Sequence, residues 1–166
     1  LIKEVEAMGF PVGGTKNSMH NIIACPAWIH CNLPATDSPG IAKAIGDALI
    51  EEFKNHKLPS WLKINIGACA NIEEALMADI GIIGVHRDQP IILEDKIKMC
   101  ERPTVIHCCP TYAIKPKGEH SIQIDPLKCI HCGACTMHCE AILTGSPKLD
   151  GYAVAVGGKA SNTGSG

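Results

Sequence analysis

The chain has 166 residues, with 15 Lys and Arg against 17 Asp and Glu, which gives a net charge of -2 at pH 7. This length suits one compact domain, or one domain with a small insert. The charge balance excludes recognition of nucleic acid or a membrane surface through a basic face. No apolar run approaches the ~18 residues that a membrane span needs. No signal peptide is visible, and because the sequence opens at Leu1 in helix-like sequence, we expect a fragment.

The first hundred residues predict alternating helices and strands. Residues 37–58 predict a helix that Asp37 or Ser38 caps, with Pro39 in its first turn and Pro59 after its end. Further predicted elements are a half-buried strand at residues 61–66, a short helix at 71–79, a central strand at 80–85 and a helix around 93–101 ending before Pro103. The order of strand, helix and strand favours an α/β sheet.

The residue composition of the sequence changes near Pro103. A short charged linker, KGEH, separates the apolar segment before it from a cysteine-rich loop. This pattern predicts a small ferredoxin-like insert at residues 103–148, with residues 1–102 as the main domain. The strand-like run at residues 151–160 predicts that residues 149–166 return to the main domain.

The cysteine-rich loop, KCIHCGACTMHCE, belongs to a chain with ten cysteines. Its spacing is C-x2-C-x2-C-x3-C, at Cys129, Cys132, Cys135 and Cys139. The first three supply thiolates by wrapping the backbone around one [4Fe–4S] cluster, and Gly133 lets the backbone approach the sulfides. Clustered cysteines are poor disulfide frameworks, and metal thiolates need a reducing compartment, so we expect a cytoplasmic protein.

The fourth ligand of this cluster is predicted to be remote. Cys109 precedes Pro110, whereas Cys139 is followed by Glu140 instead of the usual proline. The simplest assignment is Cys109 with Cys129, Cys132 and Cys135, and Cys139 then remains from the position of a second cluster. Two alternatives stay open: Cys139 as the local fourth ligand, and zinc, whose usual layout is two separated C-x2-C pairs.

A second constellation lies upstream. Cys25 and Cys31 form C-x5-C, and Cys69 is followed by Glu73 at x3 spacing. Buried free cysteines are an equally good explanation of this spacing alone. However, Cys25 and Cys69 each follow a strand-like segment, and ligand sites in α/β sheets favour such exits. His20 and His30 lie near this group, and each is more often structural than functional.

A set of segments in order carries a resemblance that no single segment does: GFPVGGT, HNI, WIHC, PATDSPG, DIGIIGVHR, MCERP, CPTYAIKP and CIHCGAC. Together they resemble the β subunits of dissimilatory sulfite reductases, from Leu1 to about Asn162. The resemblance covers only the middle of such a subunit. It implies a sulfite-reductase-like siroheme and cluster domain of α/β (α+β) class that carries the ferredoxin-like insert.

The resemblance also implies a ligand set. Sulfite and nitrite reductases hold a [4Fe–4S] cluster coupled to siroheme through C-x5-C…C-x3-C, which falls on Cys25, Cys31, Cys69 and Glu73. Glu73 is the main departure, because a carboxylate stands where a bridging thiolate belongs and iron–sulfur clusters prefer thiolate. In the family's insert, a Cys-Pro cysteine and C-x2-C-x2-C hold one cluster, which agrees with Cys109, Cys129, Cys132 and Cys135.

The function implied is multi-electron reduction of sulfite toward sulfide, or the reverse, with electrons passing from the insert cluster to a cluster–siroheme centre. Partners implied are an α subunit in an α2β2 assembly, a small electron-donor protein and an oxyanion substrate. One alternative is an electron-transfer or structural subunit whose siroheme site has decayed, as Glu73 indicates. A weaker one is a related siroheme enzyme that reduces nitrite or another oxyanion. Residues that give protons to the substrate are not assigned.

Several single residues complete the expectations. Arg87, with His86 beside it, follows the central strand and suits a carboxylate or oxyanion contact, although a solvated arginine explains it equally well. Thr36 and Lys159 are possible contacts to siroheme carboxylates, or simple surface residues. The remaining expectations concern packing: buried free cysteines at Cys100 and Cys108, and core positions for Trp28 and Trp61.

Overall fold

The structure is a computed structural model, and it describes residues 1–158 except the side chain of Glu73. Four α-helices are described within this range: α1 Ile2–Ala7, α2 Ser38–Ala48, α3 Ile50–Lys54 and α4 Arg102–His107. The described strands are β1 Ile23–Ala24, β2 Ile64–Gly67, β3 Ile80–Val85, β4 Ile91–Ile92, β5 Ile114–Lys117, β6 Ser121–Ile124, β7 Ile142–Leu143 and β8 Gly151–Val156. Short 3₁₀ turns lie at Ala27–Ile29, Glu73–Met77, Ile97–Met99 and Ala134–Met137.

The main sheet has four strands in the order β1-β2-β3-β8. The first three strands are parallel, and β8 runs antiparallel to β3. Parallel neighbours need a crossover between them. Helices α2 and α3 lie in the crossover from β1 to β2, and the 3₁₀ turn Glu73–Met77, where a short helix was predicted, lies in that from β2 to β3. The α/β fold class is therefore confirmed, and the predicted strand that begins at Gly151 pairs with β3 along the edge of this sheet.

Helix α2 begins as the sequence predicts. Asp37 is its N-cap, with its side-chain Oδ1 accepting a hydrogen bond from the Gly40 amide at 3.2 Å, and a proline stands in its first turn. The predicted single helix is nevertheless two helices, because Leu49 leaves helical dihedrals between α2 and α3. Leu49 and Phe53 pack against the sheet core in this arrangement.

Three local predictions are wrong. Every position of β2 is buried, rather than alternate ones, because β2 has a parallel neighbour on each side and lies under the following turn. Pro103 does not follow a helix but stands in the first turn of α4, where a proline loses no hydrogen bond. Trp28 and Trp61 are exposed, each at 58%, and neither belongs to the core.

A second core lies in the cysteine-rich region. It joins two antiparallel strand pairs, β4 with β7 and β5 with β6. Ile97, Val105, Ile122 and Ile142 are fully buried in it, and Cys135 and Cys139 pack with them. The domain boundaries at residues 102 and 148 stay a prediction, and the pairing of β4 with β7 places residues 91–92 against the insert.

Among the residues that the structure describes, none of the helices combines the length and the apolar composition needed to cross a membrane.

Candidate metal centres

The cysteine-rich loop is shaped by left-handed backbone positions. His131 has φ 54° and Gly133 has φ 73°, so the chain turns sharply on both sides of Cys132. Gly133 adopts this conformation without strain, whereas His131 is an uncommon occupant of it. A Cβ at residue 133 would also lie 2.8 Å from the Leu33 Cδ2 atom. Such turns direct successive backbone amides and thiols toward one point, which is the geometry that an anionic cluster requires.

Four cysteine side chains meet at this point. Cys109, Cys129, Cys132 and Cys135 line one pocket with about 330 Å³ of space that no atom fills, its open mouth included. Cys109 reaches it from the end of α4, and its Sγ accepts a hydrogen bond from the Ala113 amide at 3.2 Å. The structure therefore brings together the local triplet and the remote cysteine that the sequence singles out.

The pKa values of these thiols also reflect their burial and their closeness to one another. Burial, together with the neighbouring thiolates of Cys108, Cys132 and Cys129, raises the pKa of Cys135 to about 12. Burial likewise raises the pKa of Cys129. Burial acts in the same direction on Cys109, but hydrogen bonds from Thr111 and the following amides outweigh it, so that this pKa is lowered. A bound cation offsets such repulsion, because metal binding favours the thiolate form.

The donor set of this pocket fits a [4Fe–4S] cluster, which takes four thiolates, each on a different iron. Within residues 1–158, no group of three or more His, Cys, Asp or Glu side chains is placed to hold one metal ion. The ligand assignment therefore stays a prediction.

The upstream cysteines lie at the carboxyl edge of the parallel strands. Cys25 directly follows β1, and Cys69 follows β2 after one intervening residue. The Sγ atoms of Cys25 and Cys31 accept hydrogen bonds from the amides of Ala27 and Leu33, at 3.3 and 3.4 Å. Amide–sulfur hydrogen bonds of this kind stabilise thiolates and tune the potential of a cluster.

Backbone contacts hold these segments beside one another. The buried Ser38 hydroxyl donates to the Cys25 carbonyl at 2.6 Å. The Ala35 amide donates to the Ala68 carbonyl at 2.7 Å, which places the loop that follows Cys31 beside Cys69. No hydrogen bond of the described residues joins the three thiols directly. The Glu73 backbone begins the turn Glu73–Met77, and its side chain lies outside the described part of the chain.

Asn71 connects the two cysteine groups. Its side-chain Nδ2 donates to the Cys132 carbonyl at 3.0 Å and lies 3.6 Å from the Cys69 Sγ. Leu33, two residues after Cys31, packs beside Gly133 of the loop. The two candidate centres are therefore neighbours. The sequence analysis missed Asn71, because its only signal is that it lies two residues after a candidate ligand.

A buried pair of side chains, His86 and Asp150, supports the junction between the two candidate centres. His86 is 7% exposed; its Nε2 donates to the Leu33 carbonyl at 2.7 Å, and its Nδ1 lies 3.0 Å from the Asp150 carboxylate. His86 therefore holds the Cys31 loop against the edge of the sheet. Neither the partner of His86 nor the role of Asp150 was foreseen, since the two residues are far apart in the chain.

The other predicted contacts lie around the same edge. Arg87 is exposed, and its backbone amide donates to Asp150 at 3.4 Å. Thr36 is half-buried; its amide donates to the Ala68 carbonyl at 3.3 Å, and its methyl group faces Gly84. Lys159 lies outside the described residues.

Two histidines and two cysteines remain from the sequence expectations. His20 lies against the ring of Trp61 at 5.0 Å, and His30 is exposed. Cys108 is a free, half-buried thiol, as expected, whose Sγ donates to the Val105 carbonyl. The expectation for Cys100 is wrong: it forms a disulfide with Cys139, outside the pocket of the four cysteines.

Comparison with known proteins identifies the class that these features define. The family described as the nitrite and sulphite reductase 4Fe–4S domain matches residues 15–166, and the chain belongs to this family.

The relatives are more specific. The chain is 43% identical to the β subunit of the dissimilatory-type sulfite reductase of Archaeoglobus fulgidus, over 97% of this chain and 47% of that protein. It is 36% identical to the corresponding β subunit of Nitratidesulfovibrio vulgaris, over 94% of this chain and 43% of that protein. The chain thus spans about half the length of these relatives.

A solved structure confirms the fold. The crystal structure of dissimilatory sulfite reductase I superposes with a TM-score of 0.80, at 18% identity, over 95% of this chain and 41% of that chain.

Proposed function

We propose that this chain is the cluster-binding part of a β-type subunit of dissimilatory sulfite reductase. The reaction is the multi-electron reduction of sulfite toward sulfide, or the reverse. The observation that carries the proposal is the junction of two cysteine groups: four cysteines in one pocket, with Asn71 contacting both that loop and Cys69. The similarity to dissimilatory-type β subunits over nearly the whole chain supports the choice of substrate.

The insert cluster is assigned to Cys109, Cys129, Cys132 and Cys135. Their thiols supply the complete donor set of a [4Fe–4S] cluster, and the pocket excludes much of the solvent around Cys135. Low solvent exposure and amide hydrogen bonds to sulfur are two means by which a protein sets the potential of such a cluster.

A second cluster is assigned to Cys25, Cys31 and Cys69, with Glu73 at the fourth position. The first three are held on neighbouring segments at the carboxyl edge of the sheet. Asn71 sets the separation of the two centres, because one side chain contacts Cys69 and the backbone of Cys132.

Siroheme is proposed beside the second cluster, with Thr36, Arg87 and Lys159 as contacts to its carboxylates. Bound siroheme would supply the iron at which the oxyanion is reduced. Among the described residues, only Thr36 and Arg87 represent this set, and Arg87 is the cationic one. The described residues thus do not by themselves build the site, and the rest belongs to residues 159–166, to other parts of the subunit or to its partner.

The partners proposed are an α subunit in an α2β2 assembly and a small electron-donor protein. The relatives' designation as β subunits supports the first. The proposed location is the cytoplasm, because thiolate-held clusters need a reducing compartment.

One residue, Glu73, favours a second candidate function. Glu73 stands where the family pattern has a thiolate, and a carboxylate is a poor ligand for a cluster. In that case the chain is an electron-transfer or structural subunit, and only the insert cluster is redox-active.

The deciding experiment is the iron and tetrapyrrole content of the full-length subunit, purified without oxygen together with its partner. About eight or nine irons per chain with siroheme support the enzyme. About four irons without tetrapyrrole in any chain of the complex overturn it in favour of the electron-transfer subunit. A Glu73→Cys variant sharpens the result: a gain of iron in this variant alone would show that the parent site lacks only a thiolate at this position.

A further inference from the structure

The insert repeats one backbone pattern twice. In one half Ile92 of β4 pairs with Ile142 of β7, and in the other Ile124 of β6 pairs with Ile114 of β5. Both strand pairs are antiparallel. In each pair one strand begins a few residues after a cysteine: β7 follows Cys139, and β5 follows Cys109. The two halves therefore correspond, with Ile92 equivalent to Ile124 and Ile142 equivalent to Ile114.

Hydrogen bonds beyond the strands follow the same correspondence. The Leu93 amide donates to the Ala141 carbonyl at 2.8 Å, and its counterpart Asp125 donates to the Ala113 carbonyl at 2.9 Å. The Ile97 amide donates to the Leu93 carbonyl at 3.0 Å, and its counterpart Cys129 donates to the Asp125 carbonyl at 3.0 Å. The carbonyls of Cys109 and Cys139 each accept a bond from the amide three residues later. The correspondence thus extends into both cysteine-bearing segments.

This correspondence defines a second set of four positions in the insert. The same register makes Ile97 equivalent to Cys129, Cys100 to Cys132 and Pro103 to Cys135, and Cys139 is equivalent to Cys109. In the second set Ile97 is fully buried, at 1% exposure, and Pro103 stands in the first turn of α4. Two thiols are too few for a cluster, so this set cannot hold a second [4Fe–4S] centre.

The two thiols that remain are paired. Cys100 and Cys139 form a disulfide with a Cα–Cα distance of 5.7 Å, within the range usual for such bonds. A surface pocket of about 400 Å³ opens on the pair, and Lys96, Glu101 and His138 are among its lining residues. Cys139 is buried and Cys100 is half-buried, so a molecule in this pocket reaches the Cys100 sulfur first.

We propose that Cys100 and Cys139 are a two-electron dithiol–disulfide couple that exchanges with thiols entering this pocket. In a compartment reducing enough to keep cluster thiolates, a disulfide is usually catalytic or redox-sensing rather than a permanent link. Open access to one sulfur is the condition for exchange, and the pocket provides it. The insert therefore carries two kinds of redox centre at equivalent positions, a one-electron cluster and a two-electron thiol pair.

The exchange balances with small thiols as the reductant. A thiolate attacks the Cys100 sulfur, the bond to Cys139 breaks, and Cys139 leaves as a thiolate that takes up a proton. A second thiolate then attacks the mixed disulfide and releases Cys100 as a thiolate. The net reaction converts one protein disulfide and two small thiols into two protein thiols and one small disulfide, and oxidation is its reverse.

The test uses the full-length subunit with its partner and its clusters, purified without oxygen. Samples are equilibrated with oxidised glutathione or with dithiothreitol, quenched in acid, unfolded with a chelator and alkylated for peptide mass spectrometry. With oxidised glutathione we expect Cys100 and Cys139 to be joined and protected, while Cys109, Cys129, Cys132 and Cys135 are alkylated. With dithiothreitol, added while the protein is folded, we expect both to be alkylated with no loss of iron.

Two variants and one control complete the test. In Cys100→Ser and in Cys139→Ala the remaining thiol should be alkylated or glutathionylated in the oxidising buffer, with iron content unchanged. Cys108→Ser, which removes a free thiol at the C-terminal end of α4, should leave the pair as it is in the parent protein. Alkylation of both residues in the oxidising buffer overturns the proposal. A disulfide that dithiothreitol reduces only after the protein is unfolded also overturns it. Loss of iron in Cys139→Ala overturns it as well.

Discussion

The two cysteine groups of this chain differ in how the backbone delivers them. In the insert, Cys129, Cys132 and Cys135 come from one short loop, and only Cys109 is remote. At the sheet edge, Cys25, Cys31 and Cys69 come from segments that depend on β1, β2 and their pairing. The proposed insert centre therefore depends mostly on one local loop, whereas the proposed edge centre requires the assembled sheet. Substitutions on either side of the junction test this difference.

The largest expected effect follows from removing one insert ligand. Cys135→Ser should abolish the insert cluster, with the loss of about four irons per chain and of its electron paramagnetic resonance signal. The edge centre should keep its iron, because its thiols lie on other elements. Cys108→Ser is the matched control and should lose none. Loss of both centres together would show that the two groups are not separable.

The next effect tests the junction itself. His86→Ala removes the side chain that joins the Leu33 carbonyl to the buried Asp150 carboxylate. Among the described residues, Asp150 then keeps only the Arg87 amide, and two buried acceptors lose the imidazole, which should lower the free energy of unfolding by about 3–5 kcal/mol. Denaturant unfolding of the holo-complex measures this loss. His30→Ala, at an exposed position of the same region, should change the free energy little, and an equal loss there would argue against a specific role of the pair.

A smaller effect is expected at Asn71. Asn71→Ala removes a hydrogen bond to the Cys132 carbonyl and a contact to the Cys69 sulfur. A bond to a charged sulfur contributes about 1.5–3 kcal/mol, so the reduced state of the edge cluster should shift in potential while its iron content stays constant. Redox titration followed by resonance spectroscopy measures the shift. The exposed Gln123→Ala is the control, and an unchanged potential in both variants would show that Asn71 does not act on the edge cluster.

The smallest effect concerns the start of α2. Asp37→Ala removes the N-cap of α2 and should lower stability by about 1 kcal/mol. Because the helix packs on the sheet and not on the insert, thermal unfolding should shift slightly while the iron content of the insert is retained. Loss of insert iron in this variant would mean that the insert depends on the sheet more than its local loop indicates.

The elements that sequence predicted well share one property: their signal is local. The cap of α2, the strand at Ile80–Val85 and the convergence of the cysteine loop with the Cys109-Pro110 residue all follow from spacing within a few turns of chain or from a motif with a known geometry. The half-buried strand and the core tryptophans were wrong, because burial depends on which strands and loops cover a residue. The helix predicted to end before Pro103 was wrong because proline fits both after a helix and in its first turn.

By itself, the sequence determined the α/β class and the likeness to dissimilatory-type β subunits, and it singled out the four cysteines that line the insert pocket. The tertiary structure alone decided that Asn71 contacts both cysteine groups, that His86 and Asp150 brace the junction, and that Cys100 pairs with Cys139. The physical reason is distance along the chain. A loop motif carries its geometry in its own backbone, whereas a contact between residues separated by dozens of positions depends on the order and direction of the strands that bring them together.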